Sequence, residues 1–438
     1  MAVENDQILL NLVEVDSSSQ MKILYRKLNS SRRLSRFILS LMSVVGLTTL
    51  IGTSVGGQSE PLVDLPASPQ DHPTTSAAIY LSNLNGQFRS ARQRIANDPN
   101  DATAHKILSK LYYLRGQYRV DLDEIQQAVA HASACLKLEP GDTVCLLLRA
   151  KQQLTLHRFE LSRADLERAK SLGMGAKVVA AIEADLNWNA GRYAPAIAAI
   201  RHAAATHPTL WTLARLARLE HDLGNFEAAQ KAFQTAEAAV TSVDPLPLAW
   251  LNVQRGFHYF TRRKLAHAVL FYTEAVRRLP DYVLAREHLA EALALQGQVE
   301  AAVEHYERIV SQTPHAESLA ALARLYRRQG KPAKADALKQ HATQRYDTLL
   351  QSYPEAMQWH AAGFFLGIGQ NPERALTLLE RNVTLRPTSE SSMALAHAQL
   401  AGGGQVDACR SLAQAYAISP APANLRRATP ELFARCGF

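Results

Sequence analysis

This sequence lacks the signatures of chemistry. Its 438 residues hold no HExxH, no GxSxG and no GxxxxGK[ST]. Those spacings mark a helical zinc site, a nucleophile elbow and a phosphate-binding loop. Gly402, Gly403 and Gly404 make a glycine-rich turn, but no strand pattern precedes them, so no phosphate cradle is indicated. Cysteine is scarce: Cys135, Cys145, Cys409 and Cys436, none in a CxxC pair. That removes the zinc-ribbon and thioredoxin-like readings. The histidines are dispersed, and neither His202 with His207 nor His258 with His267 has the i, i+4 spacing of a helical metal pair. No catalytic group, metal or cofactor is expected, and the chain reads as a non-enzyme.

The formal net charge is +8, enough to favour acidic partners or anionic surfaces. Part of it lies at the N-terminus, and no RNP, zinc-finger or basic-zipper pattern accompanies it. A nucleic-acid partner is therefore not expected.

Long apolar runs are nearly absent, with one exception. Residues 37–55, FILSLMSVVGLTTLIGTSV, are uncharged and, at about 1.5 Å per residue, long enough to span a bilayer. Lys22, Arg26, Lys27, Arg32, Arg33 and Arg36 precede them, and Glu60, Asp64 and Asp71 come after. The positive-inside asymmetry places residues 1–36 in the cytoplasm and residues 56–438 outside it, in the periplasm of a Gram-negative cell. Two readings stay open: an uncleaved membrane anchor, and a signal peptide cleaved near Val55, Gly56 and Gly57. A buried soluble helix is the plain alternative. Met21 opens MKILYRKLNSSRR, a second candidate start. No cysteine stands nearby, which excludes a lipoprotein anchor. Residues 56–76 are rich in Pro, Ser and Thr and read as a semi-extended linker.

From Ala102 to Pro420 a helical pattern recurs about every 34 residues. One unit holds Gly256, Tyr259, Ala268, Tyr272, Ala275 and Pro280. The next holds Leu289, Ala290, Leu293, Gly297, Ala302, Tyr306, Ile309 and Pro314. A third holds Trp359, Ala362, Gly363, Leu366, Ala375, Leu379 and Pro387. Small residues such as Ala268 and Ala302 let paired helices approach closely, and Pro280, Pro314 and Pro387 cannot continue a helix. Less complete units surround Gly191, Gly224, Gly330 and Gly403, the second closed late at Pro245 and the third carrying extra residues before Pro354. Weaker ones span Asp142 to Met174 and Leu108 to Pro140, the latter with its turn expected near Gly116 and seven residues too long between turn and proline. Gly86, Phe88, Ala91 and Ile95 read as a degenerate N-terminal cap, and Pro422 to Phe438 as the C-terminal one.

This pattern resembles the tetratricopeptide repeat. The resemblance implies an all-α, right-handed superhelical solenoid of about nine hairpins over residues 77–438. It also implies that the first helix of each hairpin lines a concave groove where a protein or peptide binds. On that register Trp188, Trp211, Arg218, Trp250, Phe257, Arg324, Arg327 and Arg328 fall on groove positions. Aromatics and arginines there suit a partner with apolar and acidic character. Burial of the aromatics between neighbouring helices is the alternative for Trp250 and Phe257, and a solvated face is the alternative for the arginines. The carboxylate clamp of some relatives is missing, because the matching positions hold Val253, Phe257, Glu287 and Glu291. Cys135 and Cys145 flank Pro140, where antiparallel helices bring them near each other. Cys409 and Cys436 are the second candidate disulfide, and four buried thiols are the alternative.

The expected function is a protein-interaction scaffold outside the cytoplasm, serving secretion, envelope assembly or protein maturation. The alternative is an accessory subunit of a membrane enzyme or transporter. A reporter enzyme fused after Ser76 is expected to be active only outside the cytoplasm. Activity of that fusion in the cytoplasm would refute export.

Overall fold

The computed structural model describes Pro69 and residues 72–437. The apolar stretch 37–55, its basic flank and most of the linker lie outside the described residues. Among the described residues every regular element is a helix, and none is long and apolar enough to cross a membrane. The chain divides into two compact units, one covering residues 67–357 and the other including residues 358–438.

The first unit begins with a lone helix, α1 (Ala77–Asn97). Seven hairpins come next. They pair α2 (Ala102–Arg119) with α3 (Leu122–Leu138), α4 (Thr143–Thr155) with α5 (Phe159–Ser171), and α6 (Ala176–Asn189) with α7 (Tyr193–Thr206). Then come α8 (Leu210–Asp222) with α9 (Phe226–Ala238), α10 (Pro245–Phe260) with α11 (Leu265–Arg278), α12 (Val283–Leu295) with α13 (Val299–Gln312), and α14 (Ala316–Arg328) with α15 (Pro332–Ser352). Helix α16 (Pro354–Leu366) starts within this unit and ends in the second. That unit continues with α17 (Pro372–Leu385), α18 (Ser389–Ala401), α19 (Gln405–Ile418), α20 (Pro422–Ala428) and α21 (Pro430–Arg435).

The repeat residues form the hairpin seams. Ala268, Tyr272 and Ala275 of α11 are buried, as are Ala302, Tyr306 and Ile309 of α13 and Ala229, Phe233 and Ala236 of α9. Prolines act in two ways. Pro140, Pro208, Pro280, Pro314, Pro387 and Pro420 each stand two residues beyond the end of a second helix. Pro245, Pro332, Pro354 and Pro372 instead open the next helix, where the missing N–H costs nothing. Gly224 and Gly297 take positive φ of 82° at the turn inside their hairpins, a backbone state costly for other residues.

The turn expected at Gly116 is not there. Helix α2 runs three residues further, and Val120 takes the left-handed conformation, φ 52°. Gly116 is buried because Ile125 of α3 packs against its bare Cα, leaving no room for a side chain. The seven extra residues of this hairpin lengthen both helices, to 18 and 17 residues.

Two disulfides tie the ends of the repeat array. Cys135 bridges to Cys145, with Cα atoms 6.5 Å apart, joining the first hairpin to the second. Cys409 of α19 bridges to Cys436, just past α21. The second bond holds the terminal helices over a core of Met393, Leu412, Leu432 and Phe433.

The first unit also closes on itself between residues far apart in sequence. The Thr75 N–H donates to the Val243 carbonyl at 2.8 Å, and Arg278 donates to the His72 carbonyl at 3.0 Å. Tyr118 stacks on Tyr282. The Tyr353 hydroxyl donates to Asp123 at 2.6 Å, and His157 Nδ1–H donates to the Glu355 carbonyl at 3.1 Å. At the heart of this unit Arg255 and Glu237 form an ion pair at 2.5 Å, with side chains 2% and 1% exposed. The Arg255 guanidinium lies over the Phe271 ring.

The α10–α11 seam depends on a missing side chain. A methyl group at Gly256 would strike the Tyr272 ring, which is itself fully buried. Gly256→Ala is therefore expected to destabilise the protein by about 1–3 kcal/mol through overpacking, although alanine favours a helix. Urea unfolding checks this, and an unchanged or raised midpoint would contradict it.

Candidate functional site

Helical periodicity puts Trp211, Arg215, Arg218 and Asp222 on one stripe of α8, and Trp250, Gln254, Phe257 and Thr261 on one stripe of α10 and its C-terminal residue. Helices α8 and α10 meet in three layers, two on these stripes and one beside them. Trp211 and Trp250 pack against each other with ring centroids 4.9 Å apart and planes tilted by 46°. One level along, the Arg218 guanidinium sits 4.3 Å over Phe257 while it pairs with Asp222 at 2.9 Å. At the far end His221 and His258 approach through their Nδ1 atoms at 3.1 Å.

These layers differ in access. Trp211 is 51% exposed, and Trp250 is partly covered by the Leu210, Leu213, Leu248 and Leu251 cluster. Phe257 is 2% exposed. It belongs to the core, and its assignment to a ligand surface is corrected: a ring sandwiched below Arg218 touches no partner.

Trp188 does not join the pair. It packs edge-on against Tyr193 at 4.8 Å and stands in the last turn of α6, whereas Trp211 stands in the first turn of α8. The two positions differ by about eleven residues along their helices, or roughly 16 Å of rise. Nor do the three arginines of α14 act together. Arg327 pairs with Asp336 of α15 at 2.5 Å, so it faces its own hairpin partner. Arg324 is partly exposed, and its charge reaches the buried hydroxyls of Tyr306 and Tyr346. Arg328 is exposed at the helix end. The acidic half of the expected ligand thus loses its geometric basis beside the tryptophans.

Other polar groups on the first helices carry no mark in the sequence pattern of the repeat. Asp185 of α6 and Arg215 of α8 form a two-pronged pair at 2.7 and 2.9 Å, and Arg215 also donates to the Ala181 carbonyl. Lys151 lies 5.2 Å over the Tyr113 ring. The Tyr113 hydroxyl meets Thr155 Oγ1 at 2.9 Å. The one signal that could have found such groups is opposite charge at matching register in adjacent repeats, Asp185 against Arg215. Among the described residues Cys135, Asp142 and Cys145 are the one trio with metal-ligand spacing, and the disulfide occupies both sulfurs.

Ala–aromatic–Ala seams, glycine turns and closing prolines recur from hairpin to hairpin. The fold is a run of helical hairpins that resembles the tetratricopeptide repeat. No family model matches the chain, and no curated protein matches it. Solved structures with the same style of helical hairpin do align with it. The human IFIT1 dimer with PPP-AAAA aligns at 15% identity over 79% of this chain and 91% of that one, TM-score 0.43. Yeast Tom70 aligns at 13% identity over 81% and 96%, TM-score 0.36. Naa15/Naa10 bound to HypK aligns at 14% identity over 82% of this chain, TM-score 0.27, and the match spans 65% of that chain.

The stripe on α8 and α10 is thus half surface and half core, and the two halves are expected to respond differently. Trp211→Ala should keep the helical content and move stability by less than about 1 kcal/mol. Phe257→Ala should cost about 3–5 kcal/mol. Urea titrations of the two variants check this, and equal losses would contradict the division.

Proposed function

We propose that this tetratricopeptide-repeat-like protein is a non-enzymatic scaffold working outside the cytoplasm, and that it grips an apolar segment of a protein partner with Trp211 and Trp250. One observation carries the reading. A large aromatic ring stays half exposed while already packed, at a tilt of 46°, against a second one. Burying such a ring would otherwise favour folding by about 1.5–3 kcal/mol. A preformed pair of rigid rings binds at low entropic cost, and tryptophan is the residue type most enriched among binding hot spots. Exposed Val144 and Val178 occupy the first turns of α4 and α6, as Trp211 does in α8. They extend the apolar character to the preceding repeats. The partner segment we infer is apolar and extended rather than acidic.

Location outside the cytoplasm has two supports: the charge asymmetry about residues 37–55, and the two disulfides, which persist in oxidising compartments. The role is one of secretion, envelope assembly or protein maturation.

The test is capture of partners from membrane and soluble extracts with the full chain, compared with a Trp211→Ala/Trp250→Ala variant of unchanged circular dichroism. A specific partner should be lost with the variant, its affinity falling by roughly 2 kcal/mol or more. Equal capture by both proteins would remove the tryptophan pair as the site.

A further inference from the structure

The His221–His258 contact has only one consistent hydrogen-bond arrangement. Arg262 NH1 lies 3.2 Å from His258 Nε2, and a guanidinium can only donate. His258 Nε2 is therefore a bare acceptor, and its proton sits on Nδ1. That proton points at His221 Nδ1, 3.1 Å away, which must then accept. The proton of His221 is left on Nε2, 3.1 Å from Thr261 Oγ1. The threonine hydroxyl passes its own proton to the Phe257 carbonyl, also at 3.1 Å. The relay runs from Arg262 through His258, His221 and Thr261 to a backbone carbonyl, and every member is satisfied once.

Neither ring can take a second proton and keep this arrangement. A proton on His258 Nε2 would confront the Arg262 N–H. A proton on His221 Nδ1 would confront the N–H of His258. The surroundings add no compensation. Helix α8 presents Arg218, already paired with Asp222. Helix α9 presents the Phe226 and Phe233 rings. Its Glu237 is bound to Arg255 of α10. Helix α10 and the turn after it present Phe257, Tyr259, Arg255, Arg262 and Lys264, and α11 presents His267, stacked on Tyr259. The charges acting on the two rings are cationic throughout.

We propose that His221 and His258 form an acid-released latch between α8 and α10, closed while both rings are neutral and opened by protonation. Burial, then the neighbouring cations Arg262, Arg255, Lys264 and Arg218, hold the His258 pKa down to about 4. Burial, then Arg218, His258 and Arg262, hold His221 well below its ordinary value. The sign comes from these directions. The unfolded chain binds protons below pH about 6.5 and the native relay does not, so stability is full above that pH and is lost as pH falls towards 4. The latch joins the same two helices that carry Trp211 and Trp250, but it is a property of the solenoid whether or not that pair binds a partner.

The test is urea unfolding of the full chain at pH 7.5 and pH 5, monitored by the circular-dichroism exciton couplet of the Trp211–Trp250 pair. The comparison protein is His221→Gln/His258→Gln. Each glutamine amide keeps one acceptor and one donor but does not titrate in this range. From pH 7.5 to 5 the folding constant of the original chain should fall relative to the variant by at least about thirtyfold, the ratio for His258 alone with an unfolded pKa about 6.5 and a native pKa about 4, and His221 acts in the same direction. Other groups that titrate here, His131 and His397 among them, contribute equally to both proteins and cancel. The same pH dependence in both proteins would overturn the proposal. If the double variant does not fold, Arg262→Met decides. Removing that donor lets His258 Nε2 take a proton in the native state, so the acid sensitivity should weaken severalfold, and an unweakened dependence would overturn the latch.

Discussion

How near two helices can approach is set by the smallest residues between them. Ala229, Ala268, Ala302, Ala335, Ala375 and Ala408 hold equivalent places near the start of their helices and are wholly buried. Where the seam is tightest even a methyl group is too much, as at Gly256 beneath Tyr272. Once that spacing is fixed, each first helix spends one face on its hairpin partner and a second on the first helix of the next repeat. Trp211, Arg215 and Arg218 stand along the edge of that second face, where α8 meets α10 and α6. The candidate site is thus a consequence of alanine and glycine positions that never touch a ligand.

Along that edge, charge and aromatic groups are largely committed to one another. Asp185 holds Arg215, Asp222 holds Arg218, and Arg262 orients the histidine relay. Charged groups in a partly enclosed groove are costly unless paired, which explains why few are left to address a partner directly. The tryptophan pair is different. Its rings pack against each other at a tilt yet keep half of one ring open, so the pair adds contact area at little cost to the fold.

The repeats were legible because their determinants are local: a glycine at a turn, a proline past a helix end, an alanine four residues before an aromatic. Depth was not legible. Trp211 and Phe257 lie on equivalent stripes, yet one is exposed and the other enclosed, because enclosure depends on what the adjacent helix brings over it. Arg218 covers Phe257, while the last exposed edge of Trp211 has no such neighbour along its own stripe. Position along a helix misled in the same manner. Trp188 and Trp211 both point from first helices but stand at opposite ends of them. Gly116 looked like a turn residue and serves close packing instead. Pro245 and Pro354 looked like late terminators and open helices. The histidine relay was invisible because its members come from two repeats and no residue spacing marks them.

A solenoid built only from neighbour contacts melts piecemeal, since each repeat answers to the next and to nothing beyond. The first unit departs from that picture. Its opening residues reach Val243 and Arg278, and its first hairpin reaches Tyr282 and Tyr353. Such contacts form only after the intervening repeats are in place, which makes them late and slow to assemble. Once made, they join the first and the seventh hairpin in one cooperative block, in which fraying at either end must break the circuit before it can spread.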